Sequence, residues 1–192
     1  LEVPDTDVFS YTYAGDPWTN VKWGTEVIMA FFTDLLGMEA LMLLNMIVIV
    51  KILFLLYRIC LMFAEKFNLE KEKILPAFLS STLIFLIFMS YRINGRPEMV
   101  SHIFTTIYLY LFLDYLFKPG WRIALLIPAQ LLWANMHEAY GVGMVMIMIF
   151  FGAFFFEKNL PIPALKTNRD RKVMPFFISG IIALLMPAIH PM

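Results

Sequence analysis

Residues 38 to 63 form a long apolar run interrupted at Lys51, and it constrains the fold more than any other feature of this chain. The run exceeds the roughly 20 helical residues that cross a bilayer core. Inside hydrocarbon no water can satisfy the backbone, so such a segment has to close its own N–H···O=C bonds as a helix. Composition points the same way: 60% of the 192 residues are hydrophobic, only 16% are charged, and the mean hydropathy is +0.74. That balance lies outside the soluble range and predicts an integral membrane protein with an all-α fold, while giving nucleic-acid binding no support. The formal net charge is zero, which matters less than where the charges fall along the chain. The single cysteine, Cys60, lies in an apolar stretch and reads as a small buried hydrophobe that has no internal disulfide partner.

The other runs follow in order. Residues 1 to 22 are a polar loop carrying Asp5, Asp7 and Asp16, with a turn signal at Gly15-Asp16-Pro17. Trp23 to Leu36 has the spacing of an amphipathic helix lying along an interface, and Gly37 is its expected stop. Five more spans are expected after the first: Ile74 to Tyr91, Pro97 to Phe117, a short one from Trp121 to Trp133, Ala139 to Phe156, and Val173 to Ile189. Pro97 suits a first helical turn because its nitrogen needs no hydrogen-bond partner there. The expected organisation is thus a loop and interfacial helix over 1–37 and a transmembrane domain of about six spans over 38–192. Leu1 opens in a loop with no initiator Met, signal peptide or preceding span, and Met192 closely follows an apolar run. An internal piece of a longer protein is therefore expected.

Charge sets the orientation. With loop 1–22 outside, eleven Lys and Arg residues fall at inside ends and three (Lys22, Arg92, Arg96) outside, the remaining one being the mid-span Lys51. This is the bias of the positive-inside rule, and it places the acidic loop on the extracytoplasmic side. The inside charges read as solvated flanks. The same alternation gathers Asp5, Asp7, Arg92, Arg96, Asn135, His137, Glu138 and His190 at the outer surface.

Those residues suggest a chemistry. Arg92 and Arg96 present paired donors suited to a lipid phosphate, although arginines that merely anchor a helix end look the same. Asp5, Asp7 or Glu26 could serve as general base toward a hydroxyl acceptor. Glu98, Ser101, His102 and Thr105 recur at i, i+3, i+4 and i+7, and Gln130, Trp133 and His137 share one side of the short span. Both rows are expected to face a polar cavity, the alternative being polar packing between helices. His102, His137, Glu138 and His190 show no ligand spacing, so no metal site is assigned; the cofactor is unspecified, with a divalent metal compatible.

Several stretches resemble a group of bacterial multi-spanning proteins related to the GT-C glycosyltransferases. Asp7-Val8-Phe9-Ser10-Tyr11-Thr12, Gly15-Asp16-Pro17-Trp18 and Trp23 to Glu26 resemble its first outer loop, which reads D-P-F-S-Y-T, G-x-P-W and E-W-L-x-E. Arg96-Pro97 and Leu132-Trp133-Ala134-Asn135-Met136-His137 resemble its R-P and L-W-A-N-L-H segments, and His190-Pro191 falls where the group tends to have Asn-Pro. Lys22 and Gly24 depart from it, standing where the group has an acid and a leucine, and Glu138-Ala139 replaces a Gly-Gly.

The resemblance implies a GT-C-like enzyme of the bacterial inner membrane that moves a sugar from a polyprenyl-phosphate donor to an extracytoplasmic acceptor. An acid of the first outer loop would be the base, and the group's acidic motif is expected upstream of Leu1. Asp7, Asp5 and Glu26 are then the catalytic candidates, with Arg92, Arg96, His102, Asn135, His137 and Glu138 binding the lipid-linked phosphosugar. Two other classes remain open: a noncatalytic subunit holding membrane-protein partners, for which the Phe- and Met-rich Ile147 to Phe156 is suited, and a transporter or proton path through Lys51, His102 and Glu138.

Overall fold

The computed structural model describes residues 6–8, 10–17, 20–89, 98–156 and 173–189. Among them the fold is all α, with seven helices: α1 Trp23–Leu36, α2 Glu39–Lys66, α3 Lys71–Met89, α4 Glu98–Phe117, α5 Leu126–Met136, α6 Gly141–Phe156 and α7 Val173–Leu185. Short 3-10 turns at Trp121–Leu125 and Glu138–Tyr140 lead into α5 and α6, and another, Met186–Ile189, follows α7.

The helix ends have local causes. Gly37 closes α1 at φ 80°, a left-handed conformation that suits glycine, and its N–H donates to Thr33 O at 2.8 Å. Asn68 takes the same role after α2 at φ 53°, while Leu69 N–H reaches back to Ala64 O at 2.8 Å. Lys118-Pro119-Gly120 stops α4. Pro76 lies inside α3 and supplies no N–H to that helix. In the loop before α1, Gly15 at φ 90° turns the chain so that Thr6 bridges Pro17. Pro97 lies outside the described residues.

Among the described residues two helices have the length and apolar character to cross a bilayer: α2, with 28 residues, and α4, with 20, whose most apolar 18-residue stretches have mean hydropathies of 2.5 and 1.3. The other expected spans are helical but shorter in part, α5 having 11 residues, α6 16 and α7 13. Against the roughly 20 residues that a core requires, α5 is the clearest shortfall. It gains part of that length from the preceding 3-10 turn, which rises about 2.0 Å per residue.

The helix α4 is the centre of the packing. Phe104, Tyr108, Phe112 and Tyr115 recur every three to four residues on its buried face. Phe104 stacks on Trp133 of α5 with centroids 5.5 Å apart, Phe112 on Phe150 of α6 at 4.0 Å, and Tyr115 on Phe176 of α7 at 5.5 Å. One aromatic stripe thereby joins four helices, with each pair adding about 0.5–1.5 kcal/mol beyond area burial. The helix α2 runs parallel to α4: Leu44 and Asn45 share a cleft with Val100 and Phe104, and further along Met62 shares another with Asp114 and Phe117. Unlike α4, α2 leaves Met42, Met46, Val50 and Phe54 exposed. An apolar face of this extent belongs against lipid or another protein.

Candidate functional site

The start of α1 is fastened to the turn between α5 and α6. Thr25 Oγ1 donates to Met136 O at 2.7 Å, and Trp23 Nε1 donates to Asn135 Oδ1 at 3.3 Å. Asn135 is itself held by its amide nitrogen, which donates to Leu131 O at 2.8 Å. Gly24 permits this approach, since a Cβ there would meet Asn135 O at 2.7 Å. Lys22 and Glu138 face each other at the rim, Nζ to Oε1 3.5 Å. Sequence reasoning treated Lys22 and Glu138 as separate departures from a pattern. Their opposite charge was the available sign that they are neighbours.

Beneath the rim lies a buried polar network. Trp133 Nε1 donates to Ser101 Oγ at 3.0 Å, Ser101 Oγ lies 2.8 Å from His137 Nδ1, and Ala139 N–H donates to the same Nδ1 at 3.2 Å. A backbone N–H can only donate, so Nδ1 accepts, the Ser101 hydroxyl donates to it, and the neutral ring carries its proton on Nε2. Burial lowers the pKa of His137 from the ordinary 6.5, outweighing the Glu138 carboxylate, which acts to raise it. Protonating Nδ1 would also set a third donor against the Ser101 hydroxyl and the Ala139 N–H. Deeper still, the Tyr108 hydroxyl donates to Gln130 Oε1, and Gln130 Nε2 donates to Tyr140 O at 3.3 Å. Gly143 lets α6 close on this group, because a Cβ would sit 2.7 Å from Gln130 Oε1.

The two polar rows expected to line a cavity are therefore placed differently. Ser101, Gln130, Trp133 and His137 are buried and packed against one another. His102, next to Ser101 on α4, is exposed. Thr105 turns its hydroxyl back to Ser101 O at 2.8 Å. Space remains beside the network: a cleft of about 280 Å3 lies between α1, α2 and α4, with Thr25 and Asn45 the polar residues on an otherwise apolar lining. Asn45 Oδ1 is buried there with no hydrogen-bond partner among the described residues.

Asp7 and Glu26 each accept a hydrogen bond from a residue near them in sequence. Asp7 is buried and its Oδ1 accepts Ser10 N–H, three residues on, at 2.8 Å. Glu26, exposed in the first turn of α1, accepts from Asn20 Nδ2 at 2.6 Å. Asp5, Arg92, Arg96 and His190 lie outside the described residues. Lys51, His102 and Glu138 are each exposed, on α2, on α4 and in the α5–α6 turn. No group of three or more His, Cys, Asp or Glu able to hold a metal occurs among the described residues.

Five of the cations expected at inside ends do converge. The ends of α2 and α4, the start of α3 and the turn before α5 enclose a second cleft of about 530 Å3, lined by Arg58, Lys66, Lys71, Lys118 and Arg122 as well as Glu65 and Asp114. Parallel pairing of α2 with α4 brings these together, and no spacing within either helix foretells it.

Fold and site define an all-α helical bundle with two helices long and apolar enough to cross a bilayer. Compared with protein-family models, curated proteins and solved structures, the chain matches none.

Proposed function

We propose that the chain is a multi-span protein of the bacterial inner membrane, GT-C-like, that takes a sugar from a polyprenyl-phosphate donor to an acceptor on the extracytoplasmic side. The observation that carries this reading is the fastening of α1 onto the Asn135–Glu138 turn beside the apolar cleft. An interfacial helix, a polar rim and an apolar slot then meet at one end of the bundle. A lipid chain suits the slot, and its phosphate would lie near the rim, within the province of Arg92 or Arg96. In the reaction an acceptor hydroxyl gives its proton to a carboxylate of the first loop, Asp7 or Asp5, or to Glu26 at the start of α1, and bonds to the anomeric carbon. The sugar–phosphate C–O bond breaks and the polyprenyl phosphate leaves with that electron pair.

The test is transfer from a polyprenyl-phosphate sugar in proteoliposomes. Arg96→Ala is expected to lower transfer by about tenfold or more, the loss of one charge-assisted contact. Unchanged transfer would remove the phosphate clamp from the proposal. A noncatalytic subunit is the second reading, favoured by the commitment of His137 Nδ1 to two donors and by the exposure of Val145, Met148 and Ile149 on α6. A wild-type chain that transfers nothing but purifies with a membrane partner supports that second reading.

A further inference from the structure

The cationic cleft at the far end of α2 and α4 holds more positive charge than its own carboxylates neutralise. Glu65 is taken by Lys118, Oε1 to Nζ 2.7 Å, and the buried Asp114 by Arg122, Oδ1 to Nη1 3.1 Å. Arg58, Lys66 and Lys71 line the same cleft with no acidic ion-pair partner among the described residues. The two satisfied pairs pin the ends of α2, α4 and the turn before α5, so the remaining cations face a volume fixed by neighbours. Phe63 and Phe117 reinforce this closure, with ring centroids 5.2 Å apart at 88°.

Three cations with no ion pair among the described residues repel each other around one space, and an anion between them relieves that repulsion. Arg58 supplies a planar fork that matches two phosphate oxygens, while the lysines act as point charges. The lining also includes Leu61, Met62, Phe117 and the Tyr110 ring, apolar surface that a free inorganic anion would leave uncovered. Along α2 it continues into the exposed face that includes Phe54. An apolar flank joined to a basic pocket at a helix-bundle end suits an anion that carries hydrocarbon.

We propose that this cleft is a binding site for the phosphate headgroup of an anionic phospholipid in the leaflet opposite the α1 end, with its acyl chains along α2. The site is separate from the proposed sugar-transfer site and depends only on the bilayer part of that reading. Basic pockets of this kind between membrane helices select anionic headgroups.

The full chain is incorporated into nanodiscs of phosphatidylcholine alone or with phosphatidylglycerol, and its melting temperature is read in each. Recovery as a folded species in phosphatidylcholine discs checks the bilayer reading by itself. Phosphatidylglycerol is expected to raise the melting temperature above that in phosphatidylcholine, with a rise that shrinks as salt is added. Arg58→Gln is expected to weaken the response about tenfold in lipid concentration. Lys71→Gln, at the exposed first position of α3, weakens it less and is the variant to use if Arg58→Gln does not fold. Equal stabilisation by inorganic phosphate in phosphatidylcholine discs overturns the lipid assignment. Equal melting in both lipids, or a phosphatidylglycerol response that the folded variants retain, overturns the site.

Discussion

The two ends of α4 handle polarity in opposite ways. Ser101 and Asp114 are both buried on this helix, roughly 20 Å apart at about 1.5 Å of rise per residue. Around Ser101 the polar groups are neutral or nearly so, and they pair inward with Trp133, His137 and the backbone. Around Asp114 they are charged, gathered about an open cleft, and incompletely paired among the described residues. A buried neutral donor or acceptor is stabilised by a nearby partner, so such residues collapse onto each other. Cations at a helix end can stay hydrated, so they keep their space. The closed end is therefore where stability is invested, and the open end is where a ligand has room.

Substitutions at the two ends should separate these roles, most strongly at Trp133. It is fully buried, stacks on Phe104, meets Tyr108 edge-on at 5.5 Å, and donates to Ser101. Trp133→Ala is expected to cost about 3–5 kcal/mol, seen as a large drop in the unfolding midpoint of the detergent-solubilised chain. Arg58→Gln at the open end should stay within about 0.5 kcal/mol in the same measurement without anionic lipid. Comparable losses from the two would erase the distinction between a structural end and a binding end.

The pH dependence gives a finer division. The folded pKa of His137 lies below the ordinary 6.5 because burial disfavours the charged ring. Between those two values the unfolded chain binds more protons than the folded one, so stability rises with pH across that interval. The contribution of His137 is complete above about pH 6.5 and is lost as the pH falls toward the folded value. His137→Asn keeps an acceptor near the Nδ1 position and removes the titration. Its melting temperature should therefore change less than that of the parent between about pH 7 and 5. A parent curve that is flat there, or an equal slope in the variant, would show that the ring is not held neutral by the network.

How much of this was legible in the sequence differs between the ends for the same physical reason. Helix extents could be read because apolar runs and their stops are local: α1 spans the expected Trp23–Leu36, and Gly37 ends it with a positive φ. Hydrogen-bond partners are not local. Ser101 and His137 are 36 residues apart, and periodicity placed His102 in the same row as Ser101 without revealing which of the two faces inward. The basic cleft was harder still, because Arg58 and Lys66 look like ordinary helix-end charges until α2 is laid beside α4. The opposite signs of Lys22 and Glu138 hinted at another long-range contact.

That last contact gives the smallest expected effect. The Lys22 and Glu138 side chains keep 36% and 57% of their exposure, and their closest approach is 3.5 Å. An exposed pair of this kind contributes about 0–1 kcal/mol. A double-mutant cycle with Lys22→Ala and Glu138→Ala should return a coupling in that range, and the coupling should fade between about 0.1 M and 1 M salt as the Debye length drops from about 10 Å to 3 Å. The two main-chain ties of α1, Thr25 to Met136 O and the close pass of Gly24 over Asn135 O, would hold the rim together without the pair. A coupling well above 1 kcal/mol that salt leaves intact would mean that the rim is shielded from water in the membrane. The closed end would then extend one layer further out, to the Lys22 and Glu138 side chains.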